Sequence, residues 1–138
     1  MTAAVKLFIA SRPISWINTA FPFGAAYFFS TGNMDWVFFL GSFFFLIPYN
    51  LLMYGVNDVF DYESDLRNPR KGGIEGALLD PKYHRLTLVL AFGIAAPFAL
   101  VLSTINLNAT LWLWLTLFAV VAYLSLIHIS EPTRPRLI

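Results

Sequence analysis

Trp36-Val37-Phe38-Phe39-Leu40-Gly41-Ser42-Phe43-Phe44-Phe45-Leu46-Ile47-Pro48-Tyr49-Asn50-Leu51-Leu52-Met53-Tyr54-Gly55-Val56 runs without a charge into Asn57-Asp58-Val59-Phe60-Asp61-Tyr62-Glu63-Ser64-Asp65. The first stretch has the roughly 20 apolar residues that a helix needs to cross a bilayer. The second sets four acids where that helix meets water. Ionisable groups clustered at a membrane edge are expensive, and they line a polar cavity or hold a cation.

The rest of the chain agrees with a membrane reading. Its 138 residues are 58% hydrophobic and 12% charged, with a mean hydropathy of +0.66, too little charge to coat a soluble domain. Three further apolar segments can be drawn, 14–30, 86–105 and 111–129, so the fold is expected to be all-α, a multi-pass transmembrane helical bundle. There is no cysteine, which excludes disulfides, thiolate catalysis and sulfur-ligated metals. The chain is expected to keep its N-terminus, because Arg12-Pro13 cuts the early apolar run short. No nucleic-acid partner is expected.

Charge is unevenly placed. The connections 31–35 and 106–110 contain no Lys or Arg, whereas the segment before the first span and the 57–85 loop contain seven. The positive-inside rule therefore predicts an N-terminus and an acidic loop that both face the cytoplasm.

Continued as a helix past Gly55, the acidic stretch puts Asp58, Asp61 and Asp65 within a wedge of about 60°, rising about 10 Å. Three carboxylates on one face repel one another unless cations neutralise them. Mg2+ suits such a site, because it takes carboxylate oxygens and shares its other positions with water and phosphate. Asn57 adds a neutral oxygen and an amide donor. Asn50 lies two turns earlier on nearly the same face, where it either points into the cavity or fastens the bundle by an interhelical hydrogen bond. Glu63 falls off the wedge and is expected to be solvated.

Arg67-Asn68-Pro69-Arg70-Lys71-Gly72-Gly73 follows, basic and turn-forming. Guanidinium groups grip phosphate oxygens bidentately and Lys acts as a mobile point charge, so Arg67, Arg70 and Lys71 are candidate diphosphate clamps. Plain topology signal would explain the same bases alone; their adjacency to the acids favours a diphosphate site. His84 has no acid at ligand spacing on its helix and is expected to be interfacial. The aromatic residues 38–49 are expected to be lipid-facing or packing surface, and Pro48 and Gly55 to bend or loosen their helix.

Asn57-Asp58-x-x-Asp61-x-x-x-Asp65 resembles the first aspartate-rich motif of the UbiA superfamily of intramembrane prenyltransferases, and Arg12-Pro13-x-x-Trp16 is similar to the opening of that family's first span. Ser11-Arg12-Pro13-Ile14-Ser15-Trp16-Ile17-Asn18-Thr19-Ala20-Phe21-Pro22 and Asn68-Pro69-Arg70-Lys71-Gly72-Gly73 resemble the branch of lycopene elongases and related carotenoid prenyltransferases. The resemblance implies about nine transmembrane helices around a cavity, with two aspartate-rich motifs holding Mg2+ and the prenyl diphosphate. About four of those helices are present here, so the chain is expected to be the N-terminal half of such a domain over 1–123, inactive alone.

Leu124 to Arg134 resembles the translated read-through of a sequencing-library adapter, and 124–138 is expected to be a non-native tail. By the resemblance, a prenyl group passes from an allylic prenyl diphosphate to a lipid-soluble acceptor, best a carotenoid such as lycopene. Asp58, Asp61 and Asp65 are the expected catalytic metal ligands, joined by Asn57. Asn57, Arg67, Arg70, Lys71 and Asn18 are the expected diphosphate contacts. A UbiA-type transferase with an aromatic or other isoprenoid acceptor is the alternative enzyme. A membrane transporter with an acidic cation site is the alternative outside enzymes. The alcohol phosphotransferases of nucleotide-linked lipids present aspartates at a membrane face too, but their Asp-Gly-x-x-Ala-Arg motif has no counterpart here.

Overall fold

A computed structural model describes residues 2–67, 69 and 78–130, without the side chains of 127–130. These residues form α1 (Ala3–Ala10), α2 (Pro13–Thr31), α3 (Trp36–Leu46), α4 (Pro48–Phe60), α5 (Tyr62–Asp65), α6 (His84–Leu102) and α7 (Leu107–Ser130), with a short 3-10 turn at Pro81–Tyr83. The described residues contain no strand, and the all-α bundle is the observed architecture.

Local chemistry sets the boundaries. Thr2 caps α1 by accepting from the Val5 amide, and the Asp35 carboxylate caps α3 by accepting from the Val37 and Phe38 amides at 3.1 and 3.2 Å. Pro13 opens α2 at a position where its missing N–H costs nothing, and Gly32 ends it in the left-handed conformation at φ 70°.

The long apolar span breaks at Ile47, because Pro48 has no N–H to continue the ladder. The carbonyls exposed by the break are taken up by side chains. Asn50 Nδ2 donates to Leu46 O at 2.8 Å and to Phe45 O at 3.1 Å, and Thr19 Oγ1 on α2 donates to Phe45 O at 2.6 Å. Gly55, expected to loosen the helix, instead allows close approach: a Cβ there would meet Thr87 Cγ2 at 3.2 Å. Across that contact α6 presents the buried small residues Thr87, Ala91, Ala95 and Ala99, one per turn, against Leu51, Leu52 and Val56 of α4.

Three helices are long and apolar enough to cross a membrane among the described residues: Trp36–Phe60, Pro81–Leu102 and Leu107–Leu126. The fourth expected span, α2, has 19 residues, but Ser15, Asn18, Thr19, Ser30 and Thr31 dilute its hydropathy. In the fold it still runs beside the α3–α4 span from end to end. Arg12 at its start meets Asp58, and the Tyr27 hydroxyl near its finish donates to Asp35 at 2.8 Å. Lys6 on α1 donates to Leu78 O at 3.1 Å. The N-terminal segment and both termini of the 57–85 connection therefore share one end of the bundle, as the charge pattern predicts.

Helix α7 continues to Ser130 without a break at Tyr123, and Leu124 packs into the core with Leu117 and Leu102. The helix thus covers the fourth apolar segment drawn in the sequence, 111–129. Residues 131–138 lie outside the described residues.

Candidate functional site

The site begins with a tight corner between α1 and α2. Trp16 Nε1 donates back to Ser11 O at 3.0 Å and lies within 3.3 Å of Ser11 Oγ, while Ser11 Oγ donates to Phe8 O at 2.6 Å. The Trp16 ring also meets Phe8 edge-on. Held this way, Arg12 adopts φ 51° and ψ 73°, the positive φ of a residue that is not glycine. A position before proline disfavours most conformations but the extended ones, so this backbone stores about 1–3 kcal/mol of strain. Strain of that kind persists where the surroundings over-determine it.

The corner aims the guanidinium at α4. Its carbon lies 4.3 Å from the centroid of the Tyr54 ring, and Nη2 lies 3.3 Å from Asp58 Oδ1. Tyr54 and Asp58 are one helical turn apart, so one face of α4 offers an aromatic plane and a carboxylate to the same cation. The Asp58 side chain is fully buried and that of Arg12 is 20% exposed. Arg12 Nε is buried and makes no hydrogen bond among the described residues. In the sequence Arg12 carried the family resemblance but not a role; its place before a helix-starting proline gave no sign that it would meet a residue 46 positions away.

Beyond Asp58 the chain leaves regular helix. Asp61 takes φ −86° and ψ 7°, and a new turn, α5, follows. The single helix expected through Asp65 is therefore interrupted at Asp61. Backbone bonds of 2.8 Å from the Asp61 amide to Asn57 O and from the Asp65 amide to Asp61 O keep these three residues in successive turns. Asp65 is buried, Asp61 half-buried and Glu63 exposed, the last as expected. Among the described residues, no three His, Asp or Glu side chains gather closely enough to hold a metal ion. The available donors are all oxygens or imidazole, and Asp58, Asp61, Asp65 and Asn57 are in kind the ligands a hard cation takes.

The other expected contacts divide. Arg67 is exposed, and Arg70 and Lys71 lie outside the described residues. Asn18 is exposed, and its neighbour Thr19 is the α2 residue that reaches α4. Asn50 resolves to the fastening role: it is fully buried, with Nδ2 donating to Thr19 Oγ1 at 2.7 Å as well as to the two carbonyls at the break. His84 does more than sit at an interface. Its Nε2 lies 2.8 Å from Leu79 O, and its ring meets Tyr62 edge-on at 5.2 Å, tying the start of α6 to the acidic turn.

A cavity of about 560 Å³ opens between α4 and α7. Arg12, Tyr54 and Asn57 form its polar end, and Trp112, Leu115 and Val120 contribute to apolar walls. Such a shape accepts a molecule with an anionic head and a long hydrocarbon body.

Comparison with known proteins adds relatives. The chain is 57% identical over 119 residues to a lycopene elongase/hydratase of Corynebacterium glutamicum, covering 85% of this chain and 41% of the relative. It is 56% identical over 118 residues to a C(50) β-cyclic carotenoids biosynthesis protein of a Dietzia species, covering 27% of that protein. A lycopene elongase/hydratase of Halobacterium salinarum is 36% identical over 73 residues. The chain thus spans about two fifths of the length of its Corynebacterium relative. No family model and no solved structure matches it.

Proposed function

We propose that the protein containing this segment transfers a prenyl group from an allylic prenyl diphosphate to a lipid-soluble acceptor, with a carotenoid such as lycopene as the favoured acceptor. The observation that carries this reading is the joining of Arg12 and Asn57 to a large apolar cavity between membrane-length helices. The names of the relatives at 56–57% identity supply the acceptor class. The UbiA-like spacing of Asn57, Asp58, Asp61 and Asp65 supplies the donor class. The end of the bundle carrying these residues is assigned to the cytoplasmic side, from the charge pattern.

In this reading Asp58, Asp61 and Asp65, with Asn57, are the residues that would hold Mg2+, and the ion would supply neutralisation of charge on the diphosphate. Arg12 and Arg67 offer guanidinium donors to diphosphate oxygens, as do Arg70 and Lys71 from outside the described residues. The carbon–oxygen bond to the diphosphate breaks with its electron pair leaving on oxygen. An acceptor double bond then supplies the pair for the new carbon–carbon bond, and the resulting cation loses a proton. The apolar walls keep water from the intermediate carbocation, and fixed donors at the polar end stabilise the leaving group.

The experiment is incubation of the full-length protein in lipid vesicles with lycopene, Mg2+ and a series of allylic prenyl diphosphates, with products read by mass. Lycopene heavier by one or two prenyl groups is the expected result. No prenyl transfer to lycopene from any of the diphosphates would overturn the reading.

A further inference from the structure

We propose that Trp112 is the wall that limits the length of the donor's prenyl chain, standing between the polar-ended cavity and a second apolar cavity deeper in the bundle. The inference rests on the reading of the first cavity as the prenyl diphosphate site, and adds to it what stops the chain.

The two cavities lie end to end along α7. The first, of about 560 Å³, reaches from Arg12, Asn57 and Tyr123 to Trp112. Tyr123 and Trp112 are about three turns apart, roughly 16 Å along the helix. The second, of about 370 Å³, opens towards the start of α7, where Ala109 and Leu102 face Tyr27 and Phe45. Its Tyr27 is the residue that bonds Asp35, so this cavity belongs to the end of the bundle opposite Arg12. Trp112 and Thr116, one turn apart, line both cavities.

Of these two residues the indole is the one large enough to divide the space. The Thr116 hydroxyl is turned back on its own helix, donating to Trp112 O at 2.8 Å. Trp112 itself is exposed, and the residues by which α7 packs into the core are Leu113, Leu117, Val120 and Leu124. Its neighbour Trp114 is tethered, with Nε1 donating to Ser103 Oγ at 2.7 Å; the Trp112 indole has no such bond among the described residues. A ring without a tether and outside the core does little for the fold. Its position between two cavities gives it a use.

Charge decides which molecule meets the wall. The first cavity has a guanidinium at one end, whereas the lining of the second carries no charged side chain among the described residues. An anionic head held at Arg12 therefore sends its hydrocarbon body along α7 towards Trp112. An uncharged acceptor has no such fixed direction. A prenyl chain that ends before the indole fits the first cavity, and the next prenyl unit meets the ring. Without the ring the two cavities become one, and a longer chain gains apolar surface to bury.

The test is competition among allylic prenyl diphosphates of increasing length for transfer to lycopene by the full-length protein in lipid vesicles, with products read by mass. In Trp112→Ala, kcat/KM for the first donor too long for the unaltered protein is expected to rise about tenfold or more relative to the preferred donor, the scale on which an apolar pocket discriminates added hydrocarbon. Adding Ala109→Phe to Trp112→Ala refills the second cavity and is expected to return the preference to the shorter donor. Should the alanine variant fail to insert, Trp112→Leu shortens the wall, keeps an apolar side chain, and is expected to shift the ratio in the same direction. Equal use of every donor length by the unaltered protein, an unchanged ratio in the Trp112 variants, or a shift that Ala109→Phe does not reverse overturns the wall while leaving the prenyl diphosphate reading standing. Absence of transfer from every donor in every version overturns both.

Discussion

Arg12 and Asp58 meet at 3.3 Å across two helices, and this contact fixes where α2 begins relative to the acidic end of α4. A partly buried pair of this kind is worth most as a pair. Removing either partner alone strands a charge, at a cost of about 3–5 kcal/mol where burial is complete. The single variants Arg12→Leu and Asp58→Leu are each expected to destabilise the folded chain in detergent more than the double variant's cost shared between them. The coupling, read by a double-mutant cycle of unfolding free energies, is expected to be about 1–3 kcal/mol. Additive effects would show that the contact holds nothing.

Asn50 repairs the break made by Pro48. Leucine at this position is nearly the same size but leaves Leu46 O and the accepting Thr19 Oγ1 without the Asn50 amide donor. Asn50→Leu is expected to lower stability by about 1–3 kcal/mol, the cost of buried polar groups left unsatisfied. Thr19→Val should show a smaller loss at the same place. Equal stability of Asn50→Leu and the parent in an unfolding titration would contradict the fastening role.

At the opposite end, the Tyr27 hydroxyl holds the Asp35 carboxyl below its ordinary value of 3.8, helped by the Phe38 and Val37 amides. A depressed carboxyl stabilises the fold above its unfolded value, and this contribution is lost as pH falls through the folded one. Stability of the α2–α3 turn is thus expected to be level near neutrality and to decline below about pH 4. In Tyr27→Phe the decline should be shallower, which a pH series of unfolding midpoints checks.

Asp61 stands where α4 gives way to α5, between Asn57 and Asp65 in the backbone ladder. Asp61→Ala in the full-length protein is expected to lower prenyl transfer by about a hundredfold or more, the scale of losing one fixed electrostatic group at a reacting centre. Membrane insertion, followed by fractionation and a terminal reporter, should be unaffected. Retained turnover would remove Asp61 from the site.

The sequence shows the bundle because hydrophobic runs and charge placement act locally. Helix α4 and the acidic residues after it were readable from Trp36 to Asp65 for that reason. What it hid depends on long-range contact. The Arg12 corner follows from Trp16 folding back onto Ser11, and nothing in a linear pattern pairs residue 12 with residue 58. Asn50 had two readings until the carbonyls opened by Pro48 decided between them. The wedge of three aspartates assumed an unbroken helix, and Asp61 departs from it because the chain leaves the apolar layer there and turns.

The central claim is that the polar end of the α4–α7 cavity holds a prenyl diphosphate with Mg2+. It is tested most directly by equilibrium binding of a non-reactive prenyl diphosphate analogue to the full-length protein in lipid vesicles, with and without Mg2+. Saturable binding that requires Mg2+ and is lost in Asp58→Ala and Asp61→Ala is the predicted result. Mg2+-independent binding, or cation passage across the vesicle without any binding of the analogue, would contradict it.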